Sequence, residues 1–476
     1  MLDRKLLTRI LEEALRYGGD WAEVYVEEKR NSSVFCEDSR IEKINQGFEQ
    51  GVGIRVVKGE RTAYVSSNQL DESDLLQAAR LAGQSVKGSG DREKSIQLHQ
   101  AAGHNTADYS RPAEAINIDK KVELVMSADR AARGCGAPIR QVSIGLADLS
   151  KSVQIANSWG EVVEELVNRV RWSINAIAAR DSLIQTGSAS SGGTCGWELL
   201  NKASLTGQAA QAAGLALRML DAEPAPAGRM PVVMAAEAGG TMVHEACGHG
   251  LEADLVQKGL SVYSKKGALV AAPGVSVVDD PTLEGRYGSY RFDDEGSPAR
   301  PTYLIKDGVL EDYLYDRVCA GREGRRDSCN GRRESYQDKP IPRMSNTMIM
   351  PGKDDPEEII RSTPSGLLVK KMGGGQVNTI NGDFVFDVQE GYLIQNGRIG
   401  PPVRGATLTG NGPRVLMNID RIGSDLGFSI GVCGKDGQGV PVADAQPTIR
   451  IKELVVGGTA GRGPQKLHAF SGRPGF

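Results

Sequence analysis

The sequence has no run of apolar residues approaching the about 18 that a membrane-crossing helix needs. Its opening stretch, MLDRKLLTRILEEALRYGGD, lacks the uninterrupted apolar core of a signal peptide. A soluble, cytoplasmic protein with no membrane partner is therefore expected. Neither sign of charge is in excess: 57 Lys and Arg stand against 60 Asp and Glu, which argues against nucleic acid or an anionic membrane surface as partner. Aromatic residues make up only 5%, too few for platforms that stack bases. The cysteines, at 36, 135, 195, 247, 319, 329 and 433, are odd in number and never spaced as CxxC, unlike a secreted disulfide framework. Most are expected to be reduced and buried.

Histidine is scarce too, and its placement is informative. Two of only five histidines lie in the stretch Thr241 to Asp254, TMVHEACGHGLEAD, with a glutamate directly after the first. His244 and His249 offer neutral imidazole donors and Glu245 a carboxylate, the set needed to hold a divalent transition metal and to take a proton from a metal-activated water. In the familiar H-E-x-x-H helix the histidines fall about 40° apart. The spacing here is i, i+5, which on a regular helix separates them by about 140°. Both imidazoles reach one ion only if the helix is distorted there, by a π-bulge or an early end. Gly248 and Gly250, which flank His249, tolerate such backbone.

At 476 residues the chain exceeds one ordinary core, so two or three domains are expected. Leu2, Leu6, Leu7, Ile10, Leu11 and Leu15 predict an amphipathic helix, with Asp3 as cap and Gly18-Gly19 as stop. AEVYVEE, SSVFCED, GVGIRVV and TAYVSS predict short antiparallel strands, with a hairpin turn at Lys58-Gly59. DESDLLQAARLAGQSV and the segment from Ile118 to Arg133 predict helices, and Gln141 to Ile184 predicts strands. SASSGGTCG reads as flexible, followed by an alanine-rich helix from Trp197 to Asp221. This order suggests an α+β fold whose N-terminal domain lays helices on a mainly antiparallel sheet. The proline and glycine density of AEPAPAGRMP, residues 222–231, marks a boundary, dividing the chain into 1–225 and 226–476. PVVMAA then reads as a buried strand, and Asp307-Gly308 and Asn396-Gly397 as hairpin turns, so the second domain is antiparallel, β-rich and carries the metal-binding helix.

Two histidines leave a catalytic zinc short of a protein donor. Cys433, in GVCGKDGQG, is the candidate third ligand, because a thiolate is a good zinc donor and a glycine-rich loop can approach closely. Taken alone, a single cysteine is more often an inert buried thiol. Cys247 is expected to pack beneath the histidines. Glu252 and Asp254 are competing oxygen ligands, or else orient an imidazole. In the cluster Arg322, Arg325, Arg326, Arg332 and Arg333, Arg332 and Arg333 are candidates to bind a substrate carboxylate or oxyanion. Gly373 and Gly374, in MGGGQVNTI, are candidates to receive an extended peptide by strand addition; the strand-like segment that follows makes a nucleotide loop a poor reading.

HEACGHGLEAD resembles the HExxxH signature of the TldD half of the TldD/PmbA (TldE) family of zinc metallopeptidases. CNGRRESYQDKPIPRMSNTMI, MGGGQVNTINGDFVF, PVRGATLTGNG and CGKDGQGVPVADAQPTIRI resemble further blocks of that family. The resemblance covers nearly the whole chain and is strongest from Met230 onward. It implies Zn²⁺ as cofactor, Cys433 as third ligand, small or unfolded peptides as substrates, a cytoplasmic setting, and assembly with a PmbA/TldE-type subunit or a second copy. With HExxxH and the later cysteine both present, the chain looks like the catalytic subunit, with Glu245 as general base. A peptide-binding or chaperone-like module with a structural zinc is the rival expectation, and a metal hydrolase of another amide or ester a third.

Overall fold

Asp3 sets the start of the first helix, α1 (Arg4–Leu15), by accepting the backbone N–H groups of Lys5 at 2.9 Å and Leu6 at 3.0 Å. Leu7, Ile10, Leu11, Ala14 and Leu15 form its buried stripe, and Gly18 ends it at a φ of +88°. The structure, a computed structural model, describes residues 1–86, 95–101 and 109–459.

Among the described residues the N-terminal half is built mainly from β1 (Trp21–Glu37), β2 (Arg40–Lys58), β3 (Arg61–Ser67), α2 (Glu72–Ser85), α3 (Ile118–Arg133), β4 (Ile139–Asn157), β5 (Glu161–Arg180), β6 (Leu183–Gly193) and α4 (Leu205–Leu220). The strands are longer than their sequence suggests. AEVYVEE and SSVFCED belong to one strand of 17 residues, because Asn31, Ser32 and Ser33 find ladder partners on both β2 and β4. β1 turns into β2 through Asp38 and Ser39, both left-handed, and the β2–β3 turn falls at Gly59-Glu60, one residue beyond the predicted pair. SASSGG, expected to be flexible, lies in β6 and pairs along β5. The helix predicted over 197–221 is broken at Ser204, which is extended and caps α4 through Gly207 N–H at 3.1 Å.

The sheet runs β3-β2-β1-β4-β5, with β6 also on β5. One face is covered by helices: Ile144, Leu146, Val170, Trp172 and Ile174 share a core with α3 and α4. The other face presents Tyr25, Val153, Ile155 and Val163 to Phe292 and Tyr336 of the C-terminal half. Buried ion pairs join the halves there as well, Arg333 to Glu23 and Arg55 to Glu295.

In the C-terminal half the segment read as a linker is woven into a sheet. Glu223–Pro224 pairs with Arg398–Arg404, and Gly228–Met234 lies between Ser365–Val377 and Ile449–Gly457. Those strands, with Thr407–Asn411 and Asp383–Gln395, close on themselves, since Ser365–Val377 also pairs with Asp383–Gln395. A second, six-stranded sheet ends in the hairpin β7 (Gly427–Lys435) and β8 (Gln438–Gln446), with β7 at its edge. The turns at Asp307-Gly308 and Asn396-Gly397 fall where expected, all four residues having positive φ. The class is α+β with mainly antiparallel sheets. No helix among the described residues is long and apolar enough to cross a membrane.

Candidate metal centre

The HEACGH stretch changes helical type as it runs. Thr241–Val243 is α-helical, His244–Gly248 forms a single π turn, and His249–Leu251 tightens to 3₁₀. In the π turn the His249 N–H bonds the His244 carbonyl, so residues five apart stack where a regular helix would splay them. The two imidazoles consequently meet edge to face, with ring centroids 4.9 Å apart. Such a turn leaves carbonyls to satisfy, and the buried Tyr263 hydroxyl donates to Ala246 O at 2.8 Å. A Cβ on Gly248 would strike the Met344 side chain, so the turn needs glycine there for packing, its φ of -51° and ψ of -59° being ordinary helical backbone.

The third donor comes from the other sheet. Cys433 is on β7 opposite Val440, in a strand and not in the loop its glycines suggest; the hairpin turns further on, at Asp436-Gly437. The buried guanidinium of Arg343 donates to the carbonyls of Cys433 and of Gln438 on β8, clamping the hairpin. Donor atoms of His244, His249 and Cys433 lie within 4.8 Å of one another. Cys433 Sγ is 3.4 Å from His249 Nε2. Tetrahedral zinc with ordinary Zn–S and Zn–N bonds would separate S and N by about 3.6 Å, which the Cys433–His249 pair matches.

Carboxylates fix the ring orientations. Asp444 on β8 lies 2.8 Å from His244 Nδ1, and Glu252 lies 3.2 Å from His249 Nδ1. With Nδ1–H donated to each carboxylate, both Nε2 lone pairs are free to face the sulfur. Burial disfavours the Glu252 carboxylate, but Lys435, 3.1 Å away, and His249 outweigh that and hold its pKa down at about 2. Burial likewise opposes the Cys433 thiolate, while the two imidazoles hold the thiol down at about 5. Asp254 binds Lys435 at 2.6 Å and touches neither imidazole. Cys247 is buried, donates to Val243 O at 3.3 Å and is pushed up to about 12 by burial alone.

Glu245 is half-buried and makes no side-chain hydrogen bond among the described residues; burial raises its pKa, against the pull of both imidazoles. It lines an open cleft of about 610 Å³ together with the two histidines, Cys433, β7 residues 429–435 and the stretch 375–377. Gly373 and Gly374 lie just before that stretch, in a bulged part of Ser365–Val377, and do not line the cleft. Arg332 and Arg333 are not brought to it either. Arg333 is buried against Glu23, and Arg332 reaches Pro441 O at 2.8 Å on the far side of the β7–β8 hairpin.

Asp444, Arg343 and Tyr263 escaped sequence reading. Only Asp444 left a signal, as an acidic residue amid the apolar alternation of GVPVADAQ.

A pair of histidines in a π turn, joined by a strand cysteine beside a free carboxylate, is a donor set that could hold a metal ion. Residues 227–458 match the family model for the PmbA/TldA metallopeptidase C-terminal domain, 22–86 that for domain 1 and 111–220 that for the central domain. The chain belongs to this TldD/PmbA family. It is 37% identical over 455 residues to the Metalloprotease TldD homolog of Haemophilus influenzae, covering 92% of this chain and 93% of the relative. Among solved structures it resembles a modulator of DNA gyrase from Thermotoga maritima, with a TM-score of 0.79 and 22% identity over 95% of this chain and 99% of that one. It also resembles TldE from Thermococcus kodakarensis, with a TM-score of 0.76 and 17% identity over 95% and 99%. At such identities these two likenesses concern the fold.

Proposed function

We propose that the chain is a zinc-dependent peptidase of unfolded or flexible peptides, with His244, His249 and Cys433 as metal ligands and Glu245 as general base. The observation that carries this reading is the open cleft in which an unpaired carboxylate stands beside three converging donors. A thiolate in the donor set favours zinc over harder ions. Zinc held there supplies Lewis acidity toward water and a carbonyl oxygen.

The chain's own residues supply the rest. Glu245 takes a proton from water at its carboxylate and returns it to the departing amine nitrogen. Asp444 and Glu252 keep the imidazole protons on Nδ1. The edge of β7 offers free backbone groups along which an extended peptide can lie, and the bulged strand carrying Gly373 and Gly374 faces it across the cleft. Glu245→Gln should lower cleavage of an unstructured peptide by orders of magnitude while metal content stays; unchanged cleavage would refute the mechanism. Metal-loaded wild type that binds such peptides without cutting them would favour a peptide-binding module with structural zinc.

The reading includes a cytoplasmic setting and assembly with a TldE-type subunit or a second copy, for which the likeness to TldE is the support. Light scattering of the purified chain, alone and mixed with such a subunit, tests the assembly. It also includes domains 1–225 and 226–476, a division supported by the gap between family segments ending at 220 and beginning at 227.

A further inference from the structure

Behind the metal cleft lies a second cavity, of about 510 Å³, between the free face of the N-terminal sheet and the C-terminal half. The two spaces share Val432, the residue before Cys433, which is 52% exposed. We propose that this cavity is a subsite for a carboxylate of the bound peptide, received by Arg169, Arg171 and Arg332. The proposal rests on the peptidase reading and adds to it a preference among peptides.

The arginines are the argument. Arg169 is 8% exposed, yet among the described residues its guanidinium hydrogen-bonds only carbonyls, Tyr287 O at 3.3 Å and Ser289 O at 3.4 Å. Arg332, 3% exposed, lies over the Tyr290 ring at 5.2 Å and among the described residues hydrogen-bonds only carbonyls, those of Met344 and Pro441. Pro441 pairs with Val432, so Arg332 sits directly behind the strand that carries Cys433. Arg171, two residues beyond Arg169 on the same face of β5, has no hydrogen bond or ion pair among the described residues. Burial lowers the Arg332 pKa against the pull of Tyr290 and Asp294, and the positive charges of Arg169 and Arg343 add to the lowering.

Carboxylates do share the wall, but each is engaged elsewhere. Asp148 is held by Lys121 and Ser32, Glu165 by Arg291, Asp293 by backbone N–H groups of Ser297 and Gly331, Asp294 by that of Arg333 and Glu334 by that of Gly439. The Glu165 carboxylate acts on Arg169 and that of Asp294 on Arg332 without forming an ion pair with either; buried guanidiniums so placed are costly, and a planar anion that accepts their forked N–H groups relieves that cost. A peptide lying along the β7 edge has its neighbouring residues within reach of this cavity. The carboxylate could be the peptide's terminal one or an Asp or Glu side chain.

Isothermal titration of the zinc-loaded Glu245→Gln protein separates these sources. Three unstructured decapeptides of one sequence are compared: a free acid lacking Asp and Glu, its C-terminal amide, and the amide with one internal Asp. The free acid or the Asp peptide should bind about tenfold or more tighter than the plain amide, as expected for a charge-assisted hydrogen bond. Arg171→Gln, which breaks no hydrogen bond or ion pair among the described residues, and Arg169→Gln should abolish that gain and leave plain-amide binding unchanged. Equal binding of all three peptides, or a gain surviving both substitutions, overturns the subsite even where zinc-loaded wild type cleaves them. Failure of the zinc-loaded wild type to cleave any of the three overturns the peptidase reading and the subsite with it.

Discussion

The most searching perturbation of the metal centre leaves all three ligands in place. Asp444 touches no metal in the proposed arrangement; it lies 2.8 Å from His244 Nδ1 and is 6% exposed. Asp444→Asn keeps an oxygen that accepts the Nδ1–H but removes the negative charge, whereas Asp444→Ala removes both. Loss of a group that orients a metal-binding imidazole costs about 10- to 100-fold in affinity, or about 1.4 to 2.7 kcal/mol. The asparagine variant should fall near the low end and the alanine variant near the high end, because alanine also frees the ring to rotate. The Asp444 backbone accepts Gly240 N–H at 3.1 Å, and both variants keep that bond, so the α-helical start of the motif should stay seated. Competition against a chromophoric zinc chelator measures the affinities, with His244→Ala as the reference for loss of a ligand. Wild-type affinity in Asp444→Ala, beside a large loss in His244→Ala, would refute the tautomer argument and leave His244 held in place by packing alone.

Cys433→Ala should lose most of its metal on dialysis, as measured by elemental analysis; full retention would remove this thiol from the centre and revive Glu252 as ligand. Bound metal should also shield Cys433 from iodoacetamide, so peptide mapping by mass spectrometry should find it alkylated after chelation and spared before, while exposed Cys135 reacts in both states. Tyr263→Phe leaves Ala246 O of the π turn without its partner in a buried site, which should cost about 1–3 kcal/mol in urea unfolding; a cost near zero would mean that the turn does not depend on this bond. Arg333→Met strands part of the charge on Glu23; because Arg55 remains 2.9 Å from that carboxylate, the loss should lie near the lower end of the range for broken buried pairs, about 3 kcal/mol, and an unchanged unfolding midpoint would contradict the pairing.

Legibility followed the range of the interactions. The i, i+5 histidines state a local conflict, since a regular helix cannot aim both at one point, and the π turn resolves it in the way the spacing requires. Asp3, Asp307-Gly308 and Asn396-Gly397 were equally readable because caps and hairpin turns are built from adjacent residues. SASSGG was misread because its order comes from the β5 ladder, and nothing in six small residues announces such a partner. Arg332 and Arg333, read together as one cluster, are separated for a related reason. Adjacent in sequence at the end of the short strand Gly331–Arg332, they part, Arg333 drawn to Glu23 on the N-terminal sheet and Arg332 to the back of the β7–β8 hairpin.

Asp444 and Arg343 mark the boundary of what the motif alone could reveal. Each acts on a residue about 90 to 200 positions away, Arg343 through the Cys433 carbonyl and Asp444 through the His244 ring. The HExxxH stretch can aim two imidazoles, but it carries nothing that selects which nitrogen faces the third donor. That selection is made by β8 for His244 and, three residues beyond the second imidazole, by Glu252 for His249. The hairpin therefore contributes both a sulfur and the tautomer of one of its partners, so displacing β8 along its neighbour would disturb two of the three donors at once. A centre built this way depends on strand register, which explains why Arg343 is spent on two main-chain carbonyls of the hairpin, while no carboxylate is paired with it among the described residues.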